Sequence, residues 1–208
     1  IDRVDGNDYA YLQDSRYIYI SNYINQFEDA LFGSNFANTV SGYAAYIDVD
    51  SFVDWFLINE ILKNQDARNF SSIFFHLIPG EKIKMGPLWD HDLAFGNVNY
   101  EVTQYSDGWW VKDNPWISRL LDDPAFVSKV RTKFDYYRDN EQFILDKIDF
   151  HAEKLQWAQQ ENDNRWQTIG VGVWPNPVVF DTYQEEVDHL KQWYQTRMNW
   201  LDTAIDSL

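Results

Sequence analysis

Two aspartates that flank a single residue are the part of the chain best suited to chemistry. Asp90 and Asp92 lie in Gly-Pro-Leu-Trp-Asp-His-Asp-Leu-Ala-Phe-Gly-Asn, residues 86–97, directly after an apolar stretch. Two carboxylates about 5 Å apart repel by roughly 3 kcal/mol at an effective dielectric constant near 20. A bound cation with oxygen ligands relieves that repulsion, so the pair predicts a metal site if both side chains converge. A third acid, Asp66, follows a strongly apolar segment, in Asn-Gln-Asp-Ala-Arg-Asn, residues 64–69.

The motifs and their spacing resemble one family, the spore-coat-protein-H (CotH) kinases, which are atypical relatives of the protein kinases. The Gly-Pro-x-Trp-Asp-x-Asp/Asn-x-x-Phe-Gly-Asn string and the upstream Asn-x-Asp are together specific. The resemblance runs from Ile24 to about Arg138 and is looser toward the C-terminus. It is carried by residues 48–52, 56–60, 64–66, 72 and 86–97, and less closely by residues 109–110 and 119–126.

The resemblance implies a role for each acid. Asp66 would be the catalytic base that accepts or orients the hydroxyl proton of a phosphoryl acceptor, and Asp90 would bind the metal that bridges to the ATP phosphates. Asp92, where the family has Asp or Asn, would be a second ligand or would orient one, whereas His91 stands where the family usually has an aromatic and is expected to pack. The alternative is that the acids are ordinary loop residues that cap turns or form Asx hydrogen bonds.

Four polar residues near Asp66 are further candidates. Protein kinases place a metal-binding Asn a few residues after the catalytic Asp, so Asn69 and Ser72 are candidates for the metal shell. Arg68 is placed where a cation could neutralise the transferring phosphate, or it is a solvated surface charge. Lys63 is a candidate to replace the lysine that clamps nucleotide phosphates in the family's upstream β-rich lobe, or it too is a solvated charge.

Composition excludes several classes of function. The formal net charge is −16, which disfavours binding to nucleic acid or anionic lipid, and it disfavours ATP unless a divalent cation and local Lys or Arg offset it. The absence of Cys excludes disulfides and thiolate chemistry, and no apolar run is long enough for a membrane span. Ten Trp are expected mainly in packing, with stacking on sugars or bases as the alternative.

Hydrophobic periodicity predicts an α+β, mainly α domain over residues 1–208. The resemblance implies that this domain is the C-lobe of an atypical kinase, in which a small antiparallel hairpin carries the active-site loops and the N-lobe is largely or wholly absent. Asn59 and Glu60, late in the most apolar helix, must find polar partners if buried. The predicted helices are 14–32, 36–46, one from Asp48 or Asp50 to about Asn64, two that start at Pro115 and Pro124, 141–160 and 182–207; the strands are 73–78 and 82–85, and residues 1–13 are a loop.

Two classes of function follow from this sequence. The first, which the resemblance implies, is transfer of the ATP γ-phosphoryl group to Ser or Thr hydroxyls of a protein substrate with Mg²⁺ or Mn²⁺. The second is a Ca²⁺-stabilised, non-catalytic binding or scaffold module that contacts polysaccharide or a cell-surface partner, and a pseudokinase stands between the two. Such domains are common in secreted or cell-surface bacterial proteins, so an extracellular location is expected.

Overall fold

A computed structural model describes residues 14–69 and 71–208; the loop predicted for residues 1–13 lies outside this range. The described elements confirm an α+β, mainly helical fold, and the finer expectation of a kinase C-lobe stays a prediction. Within the described residues, every helix is too short or too polar to cross a membrane. The helices are α1 (Ser15–Phe32), α2 (Val49–Leu62), α3 (Pro115–Leu120), α4 (Pro124–Asp139), α5 (Glu141–Trp166) and α6 (Tyr183–Ala204); the strands are β1 (Phe75–His76) and β2 (Lys84–Met85).

The chain divides into two compact units, of which the first ends at Phe52 and also contains residues 75–85. Its main element is α1, which Asp14 caps by accepting a hydrogen bond from the Arg16 backbone N–H, as an N-cap acid should. The helix ends at Gly33, whose backbone is extended (φ −72°, ψ 168°) rather than left-handed. A Cβ on this residue would lie 2.8 Å from the Asp29 carbonyl oxygen, so glycine is needed here for close approach.

A second helix predicted for residues 36–46 is reduced to one 3₁₀ turn, Tyr43–Ala45. The backbone before it is used differently: the Gly42 and Tyr43 N–H groups donate to the carbonyls of Asn38 and Phe36, at 2.8 and 3.0 Å. These bonds fold the segment into turns, so an apolar pattern at helical spacing was not enough to predict a helix.

The β-hairpin is shorter than predicted because its second segment divides its hydrogen bonds between two neighbours. β1 and β2 pair antiparallel, with Phe75 opposite Met85. Ile83 instead bonds to the segment before α2: its N–H donates to the Tyr46 carbonyl (2.9 Å), and its carbonyl accepts from Asp48 (2.8 Å). Ile83 is fully buried there, so its side chain contributes to the core of the first unit.

The second unit comprises residues 53–74 and 86–208, and α2 continues into it from the first unit. Asp48 caps α2 through a 3.1 Å hydrogen bond from the Ser51 N–H, so the helix starts from the first of the two predicted positions, Asp48 and Asp50. The helix is apolar on almost every face, as its buried residues Phe52, Val53, Phe56 and Leu57 show. A helix buried all round must be central to its domain.

Helices α3 to α6 complete the second unit, and α3 and α4 start at the predicted residues, Pro115 and Pro124. Asn114 and Asp123 cap α3 and α4, each of which has Pro at its first position. α5 runs to Trp166, six residues beyond the predicted end at 160. α6 buries an apolar stripe, formed by Val187, Trp193, Tyr194, Met198 and Leu201, that includes one charged residue, Arg197.

Candidate active site

Asp66 lies in a tight turn at the exit of α2. After Leu62 the chain turns at Lys63, which has a left-handed backbone (φ 49°). The Asn64 side chain then accepts a 3.3 Å hydrogen bond from the Asp66 N–H and starts the 3₁₀ turn Gln65–Ala67. Asn64 is itself fully buried, so the turn is fixed to the core and presents a half-buried Asp66 at its surface.

Two backbone hydrogen bonds tie this turn to the segment that follows Asp90 and Asp92. The Gln65 N–H donates to the Leu93 carbonyl at 2.9 Å, and the Phe95 N–H donates to the Leu62 carbonyl at 2.8 Å. Phe95 also packs against Trp193 of α6, with ring centroids 6.1 Å apart. The two acidic motifs, 24 residues apart in sequence, are therefore held side by side.

The charges of Asp90 and Asp92 act on the Asp66 carboxylate. The pKa of Asp66 is raised, first by burial and then by the charges of Asp90 and Asp92, while a hydrogen bond from the Ser71 hydroxyl opposes the shift. Ser71 was not among the residues singled out from the sequence. The mutual repulsion marks the cluster as a place where a cation would stabilise the structure.

Asp90 adopts a backbone conformation that the sequence analysis did not anticipate. Its φ is 61°, in the left-handed region, so residues 90–92 do not form the extended stretch in which Asp90 and Asp92 would share a face. Ser72 also has a left-handed backbone (φ 54°), and its hydroxyl donates to Asp90 Oδ2 at 3.3 Å. Ser72 thus contacts Asp90, and its place in a metal shell stays a prediction.

Within residues 14–69 and 71–208, no group of three or more His, Asp or Glu side chains is arranged to hold a metal ion. A closed three-carboxylate centre is therefore not formed. The donor set still suits a hard cation, because carboxylate and hydroxyl oxygens are the ligands that Mg²⁺ and Mn²⁺ prefer. Mg²⁺ in phosphoryl-transfer sites commonly takes only one or two carboxylates and completes its shell with phosphate and water. Asp90 and Asp92, both exposed, fit that smaller requirement.

Lys63 is not available as the expected clamp on nucleotide phosphates. It is 1% exposed, and its ammonium donates to the carbonyls of Val102 (3.0 Å), Tyr105 (2.8 Å) and Asp107. These three bonds use all the donors of the group. Burial is the main reason why the pKa of Lys63 is lowered to about 8. Its observed role is to hold a loop.

Arg68 and Asn69 differ in how firmly they are held. The Arg68 guanidinium lies 4.6 Å above the Trp110 ring and pairs with Asp113 at 2.8 Å, so it is neither freely solvated nor turned to a phosphate. Its Nε is buried and makes no hydrogen bond. Asn69 is exposed at the end of the turn. The proposed catalytic role of Arg68 would require it to leave Asp113.

The buried ion pair Glu60–Arg197 holds the loop that contains Trp110 and Lys112. Both side chains are 0% exposed, and Arg197 donates to Glu60 Oε1 at 2.7 Å. Glu60 also accepts from the backbone N–H groups of Trp110 (2.8 Å) and Lys112 (2.9 Å). Its need for buried partners was predicted, but Arg197 was not identified as one; the available signal was an arginine inside the apolar stripe of α6.

A cavity of about 370 Å³ lies beside Asp92, between residues 91–97, residues 176–178 and the start of α6. His91 lines it, and its Nε2 is buried with no hydrogen-bond partner. Burial lowers the pKa of His91, and the charge of Asp90 opposes that shift. His91 was expected to pack, and the structure shows that it also lines a cavity.

The fold and the site define a mainly helical α+β domain that carries a cluster of acids on two adjoining loops. A family model described as CotH kinase protein matches residues 2–201. The chain therefore belongs to the CotH kinase family, and it is a kinase-like domain. Membership in a kinase family implies use of ATP and a divalent metal ion in general. Comparison with curated proteins and with solved structures gives no match.

Proposed function

We propose that this domain transfers the γ-phosphoryl group of ATP to Ser or Thr hydroxyls of a protein substrate, with Mg²⁺ or Mn²⁺. The observation that carries the proposal is the pair of backbone hydrogen bonds, Gln65 to Leu93 and Phe95 to Leu62, that hold the Asp66 turn beside the Asp90–Asp92 segment. A kinase needs its catalytic base and its metal ligands on loops that lie next to each other. Family membership supports the assignment of chemistry to these acids.

The proposed mechanism gives separate roles to Asp66, to the pair Asp90 and Asp92, and to Ser72. Asp66 accepts the proton of the acceptor hydroxyl on a carboxylate oxygen, and its raised pKa makes it a better base than an ordinary aspartate. Asp90 and Asp92 would hold the divalent ion, which when bound supplies charge neutralisation for the phosphates. Ser72 orients the Asp90 carboxylate by donating a hydrogen bond to it.

The test compares three forms of the full-length natural protein: wild type, Asp66→Asn and Asp90→Asn. Transfer of labelled phosphate from ATP to a library of Ser- and Thr-containing peptides measures activity, and calorimetry measures binding of ATP with and without Mg²⁺. We expect Asp66→Asn to lower transfer to a small residual rate, by about 100-fold or more, and to keep Mg²⁺-dependent ATP binding. We expect Asp90→Asn to lose both.

Other outcomes assign the domain to the alternative classes. Nucleotide binding with no transfer by the wild type identifies a pseudokinase. Tight Ca²⁺ binding with no heat from ATP identifies a non-catalytic module stabilised by calcium. Either result overturns the proposed reaction, because each separates the acidic cluster from phosphoryl transfer.

A further inference from the structure

One loop, residues 102–114, holds the Asp66 turn from both sides, and we call it the bracing loop. Trp110 Nε1 donates to the Gln65 carbonyl at 3.2 Å, and Asn114 Nδ2 donates to the Arg68 carbonyl at 2.8 Å. These bonds fall one residue before and two residues after Asp66. They fix the backbone that carries the proposed base at both ends of its turn.

Side chains add to the two backbone contacts. The Thr103 hydroxyl donates to Gln65 Oε1, and the Arg68 guanidinium stacks on the Trp110 ring. Thr103 and Trp110 are buried, so these contacts are shielded from water. The Arg68–Asp113 ion pair, in contrast, has an Asp113 side chain that is 58% exposed, and exposed pairs stabilise little.

The bracing loop is in turn shaped by three buried charged side chains. Because most of it lacks regular secondary structure, its backbone groups need partners from elsewhere. Lys63 and Arg197 supply donors to its carbonyls, and Glu60 supplies acceptors to its N–H groups. The carbonyls belong to Val102, Tyr105, Ser106, Asp107 and Gly108, and the N–H groups to Trp110 and Lys112.

We infer that Trp110 and Asn114 are positioning residues for Asp66, and that Glu60, Lys63 and Arg197 hold the loop that presents them. The inference rests on the proposed function of Asp66 as the base. Misplacing a catalytic group by about 1 Å can lower a rate on the order of 100-fold. Two hydrogen bonds that bracket the base are suited to prevent such a displacement.

The two donor groups can be removed without removing what else these residues do. Asn114 uses its side-chain oxygen to cap α3, accepting from the N–H groups of Trp116 (3.0 Å) and Ile117 (3.3 Å). Ser and Asp are good N-cap residues that lack the amide donor. Trp110 is held through its backbone by Glu60, so Trp110→Phe keeps that bond and an aromatic ring while it loses the indole N–H.

The experiment measures kcat, KM for ATP, Mg²⁺–ATP affinity and Tm for wild type, Asn114→Ser, Asn114→Asp and Trp110→Phe in the full-length protein. For Asn114→Ser we expect kcat to fall about 10- to 100-fold, with KM and ATP affinity within about 2-fold of wild type. Hydrogen exchange of residues 64–69 should be faster, while exchange in α2 stays unchanged. Asn114→Asp should behave alike, which separates the lost donor from any cost of capping by Ser.

A second arm combines each variant with Asp66→Asn. If Trp110 and Asn114 act through Asp66, neither substitution lowers the residual rate once the carboxylate is gone. A further loss in that background, or full kcat in the single variants of an active enzyme, overturns the positioning role and leaves the proposed function intact. Absence of transfer by the wild type overturns both.

Discussion

The raised pKa of Asp66 suits its proposed role as a base, but it lowers the stability of the fold at neutral pH. Its carboxylate is half-buried and faces the charges of Asp90 and Asp92, which raise its pKa. A group whose pKa is raised in the folded state favours folding fully only below its ordinary pKa, and that contribution is lost as the pH rises through the folded-state value. At neutral pH the ionised Asp66 therefore destabilises the fold.

Replacing Asp66 by Asn should raise stability while it lowers transfer to a small residual rate. Without divalent metal at pH 7 we expect a Tm increase on the order of 1–2 °C, about half a kcal/mol for a chain of this size. The gain should shrink toward pH 4, where the wild-type carboxylate becomes protonated, and on addition of Mg²⁺, which offsets the repulsion. Thermal unfolding with and without chelator measures it. Glu153→Gln, on the exposed face of α5, is the control and should show no such gain.

Gly96, in the same family motif as Asp90, tests a steric constraint on the site. Its φ is +77°, and a Cβ would lie 2.8 Å from Trp193 Cδ1 and 2.9 Å from the Gln104 carbonyl oxygen. Gly80 has a similar φ of +86° with nothing within 4 Å of such a Cβ, so it is a matched control.

We expect Gly80→Ala to cost about 1 kcal/mol from backbone conformation alone. Gly96→Ala should cost about 2–3 kcal/mol more, because Trp193 must move or lose its 3.0 Å hydrogen bond to Gln104. Urea unfolding of both variants measures the difference. Equal losses would show that the backbone conformation, and not the contact with α6, makes glycine necessary at 96.

At the scale of elements, helix starts were predictable from the sequence and strand lengths were not. Asp14, Asp48 and Asp123 cap their helices through short-range hydrogen bonds, which depend only on neighbouring residues. Ile83 was assigned to a hairpin strand, but its hydrogen bonds go to Tyr46 and Asp48, and no local pattern contains that pairing. Hydrogen bonds to distant residues therefore set the length of the strand, which local sequence preference left ambiguous.

In the candidate site, too, the residues in local motifs were predictable from the sequence and the long-range contacts were not. The acids at 66, 90 and 92 were predicted by motif, and the structure brings their segments together. The three carbonyl partners of Lys63 are 39 to 44 residues away, and Arg197 is 137 residues from Glu60. Polar contacts at such separations depend on how the helices pack, so sequence alone assigned Lys63 the wrong environment and left Arg197 without a partner.

The Glu60–Arg197 pair joins α2 to α6 and should be costly to break from one side. Removing one partner of a buried ion pair leaves the other charge unpaired, which costs about 3–5 kcal/mol. We expect Arg197→Met to destabilise by about that amount, more than Lys191→Met, whose ion pair with Asp149 is partly exposed. Glu60→Gln combined with Arg197→Met should cost less than the sum of the two single changes. Additive losses in urea unfolding would contradict a coupled pair.

At the scale of the whole molecule, the charge of −16 is the dominant electrostatic feature. The repulsion among its carboxylates opposes the compact state, and local pairs such as Arg131 with Asp135 and Asp202 offset only part of it. Salt shortens the range of that repulsion, from about 30 Å at 0.01 M to about 8 Å at 0.15 M. Exposed ion pairs are weakened by the same salt, so the two effects compete.

Because acids outnumber bases 33 to 17, repulsion should win, and the chain should become more stable as salt is added. Without divalent metal, we expect Tm to rise by a few degrees between 10 and 200 mM NaCl, corresponding to about 1 kcal/mol. Glu153→Lys changes the net charge from −16 to −14 at an exposed position and should reduce the slope. A Tm that falls with salt would mean that ion pairs such as those of Arg131 outweigh the net repulsion. The same titration with choline chloride separates general screening from specific binding of Na⁺ to the acidic cluster.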